Sequence, residues 1–543
     1  RYWRVSSSFD NSLVKSVLMP NKVWPLWWLV LSLAVAIPVL FRFLGEAPDG
    51  NSSDNDRSIQ NENGTPNPEA NFQLTPPIEL SRLANEWEPQ QALILSISFP
   101  EAIEDLNIAR NFVNVLDVAH SYMDIYVFCD QEKHNQYAHF LSLISPHPRV
   151  EAILEKTHFV DSRSLLRWAR DFGPIFEFGI NDQLVTMDMV YRDMMKALEE
   201  DALKIDEPLD PLRDFFNLHG DAMPSEVAAM LQSEYNIPVD IVRPSVSMDG
   251  GDFVSDGRGN IFISKQTLVR NGGDRSELES VFQRYFGAKR LHILETLPGR
   301  TVPHLDMIMK FLDHETILLP DFKVSKEKAV NPYHSELNRE ARSIIEQNER
   351  YLHKHFPNYK ILKMPMPPIL FKSRDEIVSE AKQSFVKVYA LDKGMLPIDK
   401  IKRLTDAQLE ELEREVLIAI KRETPSADFS TPTAFDAVLR QYGQLPLDAF
   451  IDHYSEPVTR YRSYINSVFL HAKDGRQAFL VPRFTSSNSS ESALLQKWEA
   501  DVESVYRTAW PNAKIHWINC DSMVSDLGFL HCATITVPLL ETH

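Results

Sequence analysis

The chain has 543 residues, enough for a large core and for more than one structural unit, so size alone excludes little. Its 57 Lys and Arg against 76 Asp and Glu leave a formal charge of −19, which argues against nucleic-acid binding and fits cationic small molecules, basic peptides or simply a solvated acidic surface. The three cysteines, Cys129, Cys520 and Cys532, form no CxxC pair and no His/Cys cluster at zinc spacing, so neither a disulfide framework nor a metal nor any other cofactor is suggested.

Residues 1–22 are basic, with Arg1, Arg4, Lys15 and Lys22 outweighing Asp10. Val23 to Phe41 then carries no charge and has Trp24, Trp27 and Trp28 near its start. Its length is near the roughly 20 residues a helix needs to cross a bilayer. This predicts a transmembrane helix over 23–44, with a cytoplasmic N-terminus and the rest of the chain translocated to an extracytoplasmic side. A cleaved signal peptide, and hence a secreted protein, shares the same pattern and stays open. Residues 45–77 are rich in Asn, Ser, Asp and Pro and too poor in large apolar residues to order themselves, which predicts a disordered tether.

The folded region is expected over 78–543. Ala92–Ile97 reads as a strand, Ala102–His120 as an amphipathic helix and Asp124–Phe128 as the next strand. Further strands are expected around Leu184–Tyr191, Val239–Val242, Asn260–Ser264, Arg290–Leu294, Ile317–Leu319, Lys360–Met364, Ser467–Leu470, Ala478–Val481 and Lys514–Ile518. Strands alternating with helices predict an α/β domain of several similar modules, although residue identities alone do not demonstrate a repeat. Residues 372–459 look inserted, with a helical run Asp406–Lys421 that begins at Thr405, a good cap.

Four stretches carry the candidate chemistry. Trp168-Ala169-Arg170-Asp171-Phe172-Gly173-Pro174 sets a charge pair just ahead of a Gly-Pro turn. In Met248-Asp249-Gly250-Gly251-Asp252 the glycines allow close backbone approach between two carboxylates, while Asp256-Gly257 predicts a hairpin turn. His304 and Asp306 are two apart, so in an extended chain they share a face and can reach one bound group. Gly528 leads into an apolar, β-branched segment that sets the Cys532 thiol at the mouth of a strand. Alternation along that strand would send His531 the other way, so His531 is not expected to act as base for its neighbour. A buried cysteine by itself is most often a small hydrophobe.

Taken together and in this order, the stretches resemble the guanidino-group-modifying (pentein) enzymes, above all the branch holding the Porphyromonas-type peptidylarginine deiminases and the agmatine deiminases. Trp168–Pro174 is similar to that branch's WxRDxGP, Met248–Gly257 to its (E/D)GG…DG, Pro303–Asp306 to its GHxD and Gly528–Cys532 to its turn into IHC or LHC. Glu86-Trp87-Glu88-Pro89 resembles the branch's opening motif, and Arg462–Asn466 with Val481-Pro482 its last-but-one module. The likeness covers most of 80–371 and 460–543, and departs at Asp249, where many relatives have Glu, at Pro303 and at Leu527. It implies a five-bladed α/β propeller of ββαβ modules, here with an inserted helical lobe.

The resemblance also implies roles. Asp171 and Asp306 would bind the guanidinium nitrogens, Cys532 would attack the guanidinium carbon to give a thiouronium adduct, and His304 would serve as general acid and then base. Asp249, Arg170, Trp168, Gly250 and Gly251 would support the site, and Arg192 could meet a substrate carboxylate. The agmatine branch usually has an Asn-Ala-Trp element after the strand corresponding to Asp188–Tyr191, where this chain reads Asp188-Met189-Val190-Tyr191-Arg192-Asp193. That and the expected export favour an arginine-containing peptide or protein as partner, with citrulline as product. Agmatine, converted to N-carbamoylputrescine in putrescine biosynthesis, is the alternative. An amidinotransferase using the same residues and an inactive pentein binding module are further alternatives. A papain-like protease fits poorly, because Cys532 follows its histidine and lies almost at the C-terminus.

Overall fold

The computed structural model describes residues 78–96, 106–129, 153–162, 167–180, 183–190, 222–299, 304–322, 332–367, 404–441, 458–486, 489–524 and 528–539, with Val302 and short stretches between 369 and 400. The expected membrane span and tether lie outside the described residues, as does Arg192. Among the described residues no helix is long and apolar enough to cross a membrane. Residues 68–385 and 417–543 belong to one compact unit, which holds the five modules and the site described below, and residues 386–416 fall in a second.

Among the described residues one strand order occurs five times: an antiparallel pair, a helical connection, then a strand parallel to the second of the pair. In the second module Ile175–Gly179 pairs with Leu184–Met187, and the helix Met223–Tyr235 returns the chain to Val239–Val242. The third module uses Val254–Ser255, Asn260–Ser264 and Arg290–Leu294, with two helices between the last two. In the fourth, Lys310–Phe311 and Thr316–Asp321 are followed by the helix Pro332–His355 and the strand Lys360–Pro365. The fifth has Val468–His471, Gln477–Arg483, the helix Ser489–Ala509 and Lys514–Asn519.

The first module is built from both ends of the region. Its central strand, Gln90–Ser96, is buried throughout, around the apolar run Ala92-Leu93-Ile94-Leu95. Asp124–Cys129 lies parallel to it after the helix Leu106–Ala119, but its antiparallel partner is Thr534–Pro538, with Thr534 opposite Leu95 and Val537 opposite Ala92. Neighbouring modules share cores. Ile94, Tyr126, Phe172, Phe176, Leu231 and Ile535 pack together between the first and second, and Val185, Met187, Val242, Ile261, Ile263 and Phe282 between the second and third.

The expected strands are all present, and the hairpin turn falls at Asp256-Gly257, where Gly257 has φ +68° and Asp256 accepts hydrogen bonds from the amides of Arg258 and Asn260. The first strands of the second, third and fourth modules were not legible in advance. Two of them are only two residues long, too short to show alternation. Leu370–Lys372 pairs antiparallel with Val458–Arg460, so the chain departs after residue 372 and returns before 458 on adjacent strands.

Candidate active site

Each module contributes the loop that precedes its first strand. Asp171 comes just before Ile175, Asp249 and Asp252 before Val254, His304 and Asp306 before Lys310, Asn466 before Val468, and Cys532 before Thr534. The side chains on these five loops are linked by direct contacts and are mostly buried, Cys532 being 2% and His304 5% exposed.

Backbone contacts fix the loops against one another. Trp168 precedes a one-turn helix, Ala169–Phe172, in which the Arg170 amide donates to the Cys532 carbonyl at 3.0 Å and the Arg170 Nε to the Thr534 carbonyl at 3.1 Å. Gly250 lies so close to this turn that a Cβ there would stand 2.0 Å from the Arg170 carbonyl oxygen. Gly528 lies as tightly against the Trp168 ring, with 2.6 Å for the same hypothetical atom. A Cβ on Gly251 would point into the middle of the cluster, 2.7 Å from His304 Nδ1, 3.0 Å from Asp171 Oδ1 and 3.2 Å from Asp306 Oδ2. The absent side chain keeps that space open.

His304 is held between carboxylates. Its Nε2 donates to Asp249 Oδ2 at 3.0 Å, and its Nδ1 lies 3.4 Å from Asp171 Oδ1. Although Asp has the shorter side chain, Asp249 reaches the ring, and Arg270 grips it with two hydrogen bonds of 2.7 and 2.9 Å. Burial opposes charge on His304, but Asp171 and Asp249, with Asp306 behind them, raise its pKa to about 10. Burial also works against the Asp249 charge, yet His304 and Arg270 hold it down to about 2. Asp171, lacking such a clamp, is lifted by burial to about 7, against the pull of His304 and with the neighbouring Asp249 and Asp306 adding to the rise.

Cys532 Sγ accepts from Asn466 Nδ2 at 3.2 Å and lies 3.5 Å from Asp306 Oδ2. Burial, reinforced by the Asp306 and Asp171 carboxylates, pushes the thiol well above its ordinary range, so the resting group is protonated. Asp306 itself remains ionised: burial is outweighed by His531 and His304, which lower its pKa. His304 is extended, but the extended conformation does not continue to Asp306. Leu305–Met307 forms a 3-10 turn, and it is this turn that brings His304 and Asp306 to one place.

Strand alternation does not govern His531 and Cys532, because the strand begins only at Thr534 and both residues lie in the preceding turn. Their side chains therefore meet on one carboxylate. His531 Nδ1 bonds Asp306 Oδ2 at 2.8 Å and Nε2 bonds Glu86 Oε1 at 2.7 Å.

The structure thus brings together Asp171, Asp249, Gly250, Gly251, His304, Asp306 and Cys532, with Arg170 and Trp168 bracing the loops. Sequence reasoning did not single out Asn466, Arg270 or Glu86; it noted Asp252 only as a carboxylate beside the paired glycines and His531 only as pointing away from Cys532. Asn466 and Glu86 lay within motifs quoted for their likeness alone, whereas Arg270, on the helix Lys265–Arg270, gave no local signal. Among the described residues no group of three or more His, Cys, Asp or Glu side chains is arranged to hold a metal ion. What remains open to a ligand is a set of buried polar atoms with no hydrogen-bond partner among the described residues: Asp171 Oδ1, Asp306 Oδ1 and His304 Nδ1. Two carboxylate oxygens, an imidazole and a thiol around a gap suit a flat cation with several N–H donors.

The sequence model of the Porphyromonas-type peptidyl-arginine deiminase family matches residues 82–538. No curated protein matches the chain by sequence. Among solved structures, the agmatine deiminase of Enterococcus faecalis aligns with a TM-score of 0.52 at 16% identity, over 84% of this chain and 95% of that one. C. jejuni agmatine deiminase aligns with 0.50 at 15%, over 84% and 95%. A Porphyromonas gingivalis protein provisionally described as an arginine deiminase gives 0.50 at 16%, over 84% and 98%. At such identities these likenesses bear on the fold alone.

Proposed function

As this chain belongs to the Porphyromonas-type peptidyl-arginine deiminase family and is a hydrolase of amidine carbon–nitrogen bonds, we propose that it converts arginine within a peptide or protein to citrulline and ammonia. The observation that carries this reading is the trio of buried polar atoms on Asp171, Asp306 and His304 that have no hydrogen-bond partner among the described residues, beside the Cys532 thiol. We also read the five modules as propeller blades of the pentein kind and residues 23–44 as a membrane anchor ahead of them, supported by the shared strand order and by the charge pattern of residues 1–56.

The proposed steps are those the resemblance implies, and the geometry of the site supports them. Asp171 and Asp306 accept hydrogen bonds from the guanidinium nitrogens and cancel its charge. Burial raises the thiol most, and arrival of the cation offsets the two carboxylates that add to that rise, so Cys532 can release its proton to solvent and its sulfur can bond to the guanidinium carbon. A carbon–nitrogen π pair moves onto nitrogen as that bond forms. His304, charged at neutral pH, passes its proton to one nitrogen; the C–N bond breaks and ammonia leaves a thiouronium on the sulfur. Water then loses a proton to His304 and attacks the same carbon, the C–S bond breaks as the added hydroxyl becomes the carbonyl and its proton returns to the sulfur, and the ureido product departs. Asp249, anchored by Arg270, keeps the ring aimed throughout.

Peptidyl-arginine is preferred over agmatine because 188–193 lacks the Asn-Ala-Trp element and because the expected export favours extracytoplasmic peptides. The test offers the enzyme a peptide with internal arginine, one ending in arginine, free arginine and agmatine, and measures ureido product and ammonia. The internal-arginine peptide should have the highest kcat/KM, and Cys532→Ala should abolish turnover. Highest turnover of agmatine would replace the substrate assignment, and product from none of the four would overturn the reading.

A further inference from the structure

The guanidinium-facing carboxylate Asp306 has a second line of residues behind it. His531 is 6% exposed and sits between two carboxylates, with Nδ1 on Asp306 Oδ2 at 2.8 Å and Nε2 on Glu86 Oε1 at 2.7 Å. Carboxylate oxygens only accept, so both ring nitrogens must donate, and the ring cannot turn without breaking one bond. Its backbone amide is held as well, donating to Asn466 Oδ1 at 3.1 Å while the Nδ2 of the same amide contacts the Cys532 sulfur. Glu86 is fixed in turn by Lys310 Nζ at 2.9 Å on Oε2 and by Arg170 at 3.0 Å on Oε1. Burial works against a charge on Glu86, yet His531, Lys310 and Arg170 keep it well below the usual carboxylate range.

Resting on the reading above, we infer that Glu86 and His531 are positioning residues for guanidinium binding: Glu86 locks the His531 ring, and the ring occupies Oδ2 of Asp306 so that Oδ1 is left as the oxygen that meets the substrate. Neither residue touches the substrate. The same arrangement ties the loop before Gln90 to the nucleophile's turn, since Glu86 and Cys532 are linked through His531 and Asp306. A hydrogen bond between charged groups is worth enough that losing it weakens binding by about 10- to 100-fold.

The test uses the full chain carrying Cys532→Ala, so that substrate binds without turning over, and measures the affinity for an internal-arginine peptide and for agmatine by calorimetry. Adding Glu86→Gln or His531→Gln should weaken binding of whichever compound binds, and the two together should be no worse than the more damaging one, because they act along one line. In histidine-labelled enzyme, proton resonances from both Nδ1–H and Nε2–H of His531 should be visible, the second shifting in Glu86→Gln. If Glu86→Gln does not fold, Lys310→Met, which removes an anchor of the same carboxylate, takes its place. Additive effects, unchanged affinity, or a single N–H resonance from His531 would overturn the inference while leaving the deiminase reading intact. Failure of the Cys532→Ala protein to bind either compound would overturn both.

Discussion

Asp171 and His304 face each other across 3.4 Å, and their proton affinities are moved in ways that set a pH window for activity. Burial raises Asp171 to about 7, so below that pH it takes up a proton and loses its hold on a cation. His304 is raised to about 10 by its carboxylate neighbours despite burial, so it keeps the proton it must donate until that pH is passed. The pair titrates as a unit, and kcat/KM should follow a bell with its acid limb near 7 and its alkaline limb near 10. A pH–rate profile checks this, and full activity at pH 5 would contradict the role given to Asp171. The residues that carry distinctive local chemistry, a thiol after a glycine turn or a carboxylate flanking paired glycines, could be picked from the sequence. Arg270 could not, because a lone arginine at a helix end gains meaning only when folding sets it against Asp249.

At the scale of elements, the strand Thr534–Pro538 joins fold and site. It completes the first sheet, and Ile535 packs so closely on the Trp168–Pro174 loop that a Cβ on Gly173 would stand 2.1 Å from its Cδ1. Ile535→Ala should therefore cost about 2–5 kcal/mol of stability, as buried Ile truncations do, and thermal or denaturant unfolding measures it. An effect near zero would mean that the strand is not held by this contact. The buried strand Gln90–Ser96 is legible through its aliphatic run Ala92–Leu95. The two-residue strands Val254–Ser255 and Lys310–Phe311 did not, because their pairing is dictated by the longer neighbour rather than by any pattern of their own. The turn holding His531 and Cys532 differs from the expectation for a related reason: the β-branched run that follows suggests a strand that begins earlier than pairing permits.

For the molecule as a whole, the five modules of one strand order among the described residues present five loops, and each contributes a side chain to the candidate site; the proposed mechanism uses these as acid, base, nucleophile or support. The repeat is one of topology rather than of residue identity, which is why the modules could be suspected but not demonstrated from the sequence. The most direct measurement of the central claim is a rapid acid quench of the enzyme turning over an internal-arginine peptide, followed by mass analysis of its proteolytic fragments. The fragment containing Cys532 should gain the mass of the peptide less one ammonia, and should not do so in Cys532→Ala. Citrulline formation with no mass gain on Cys532 at any quench time, together with undiminished turnover by Cys532→Ala, would contradict the account.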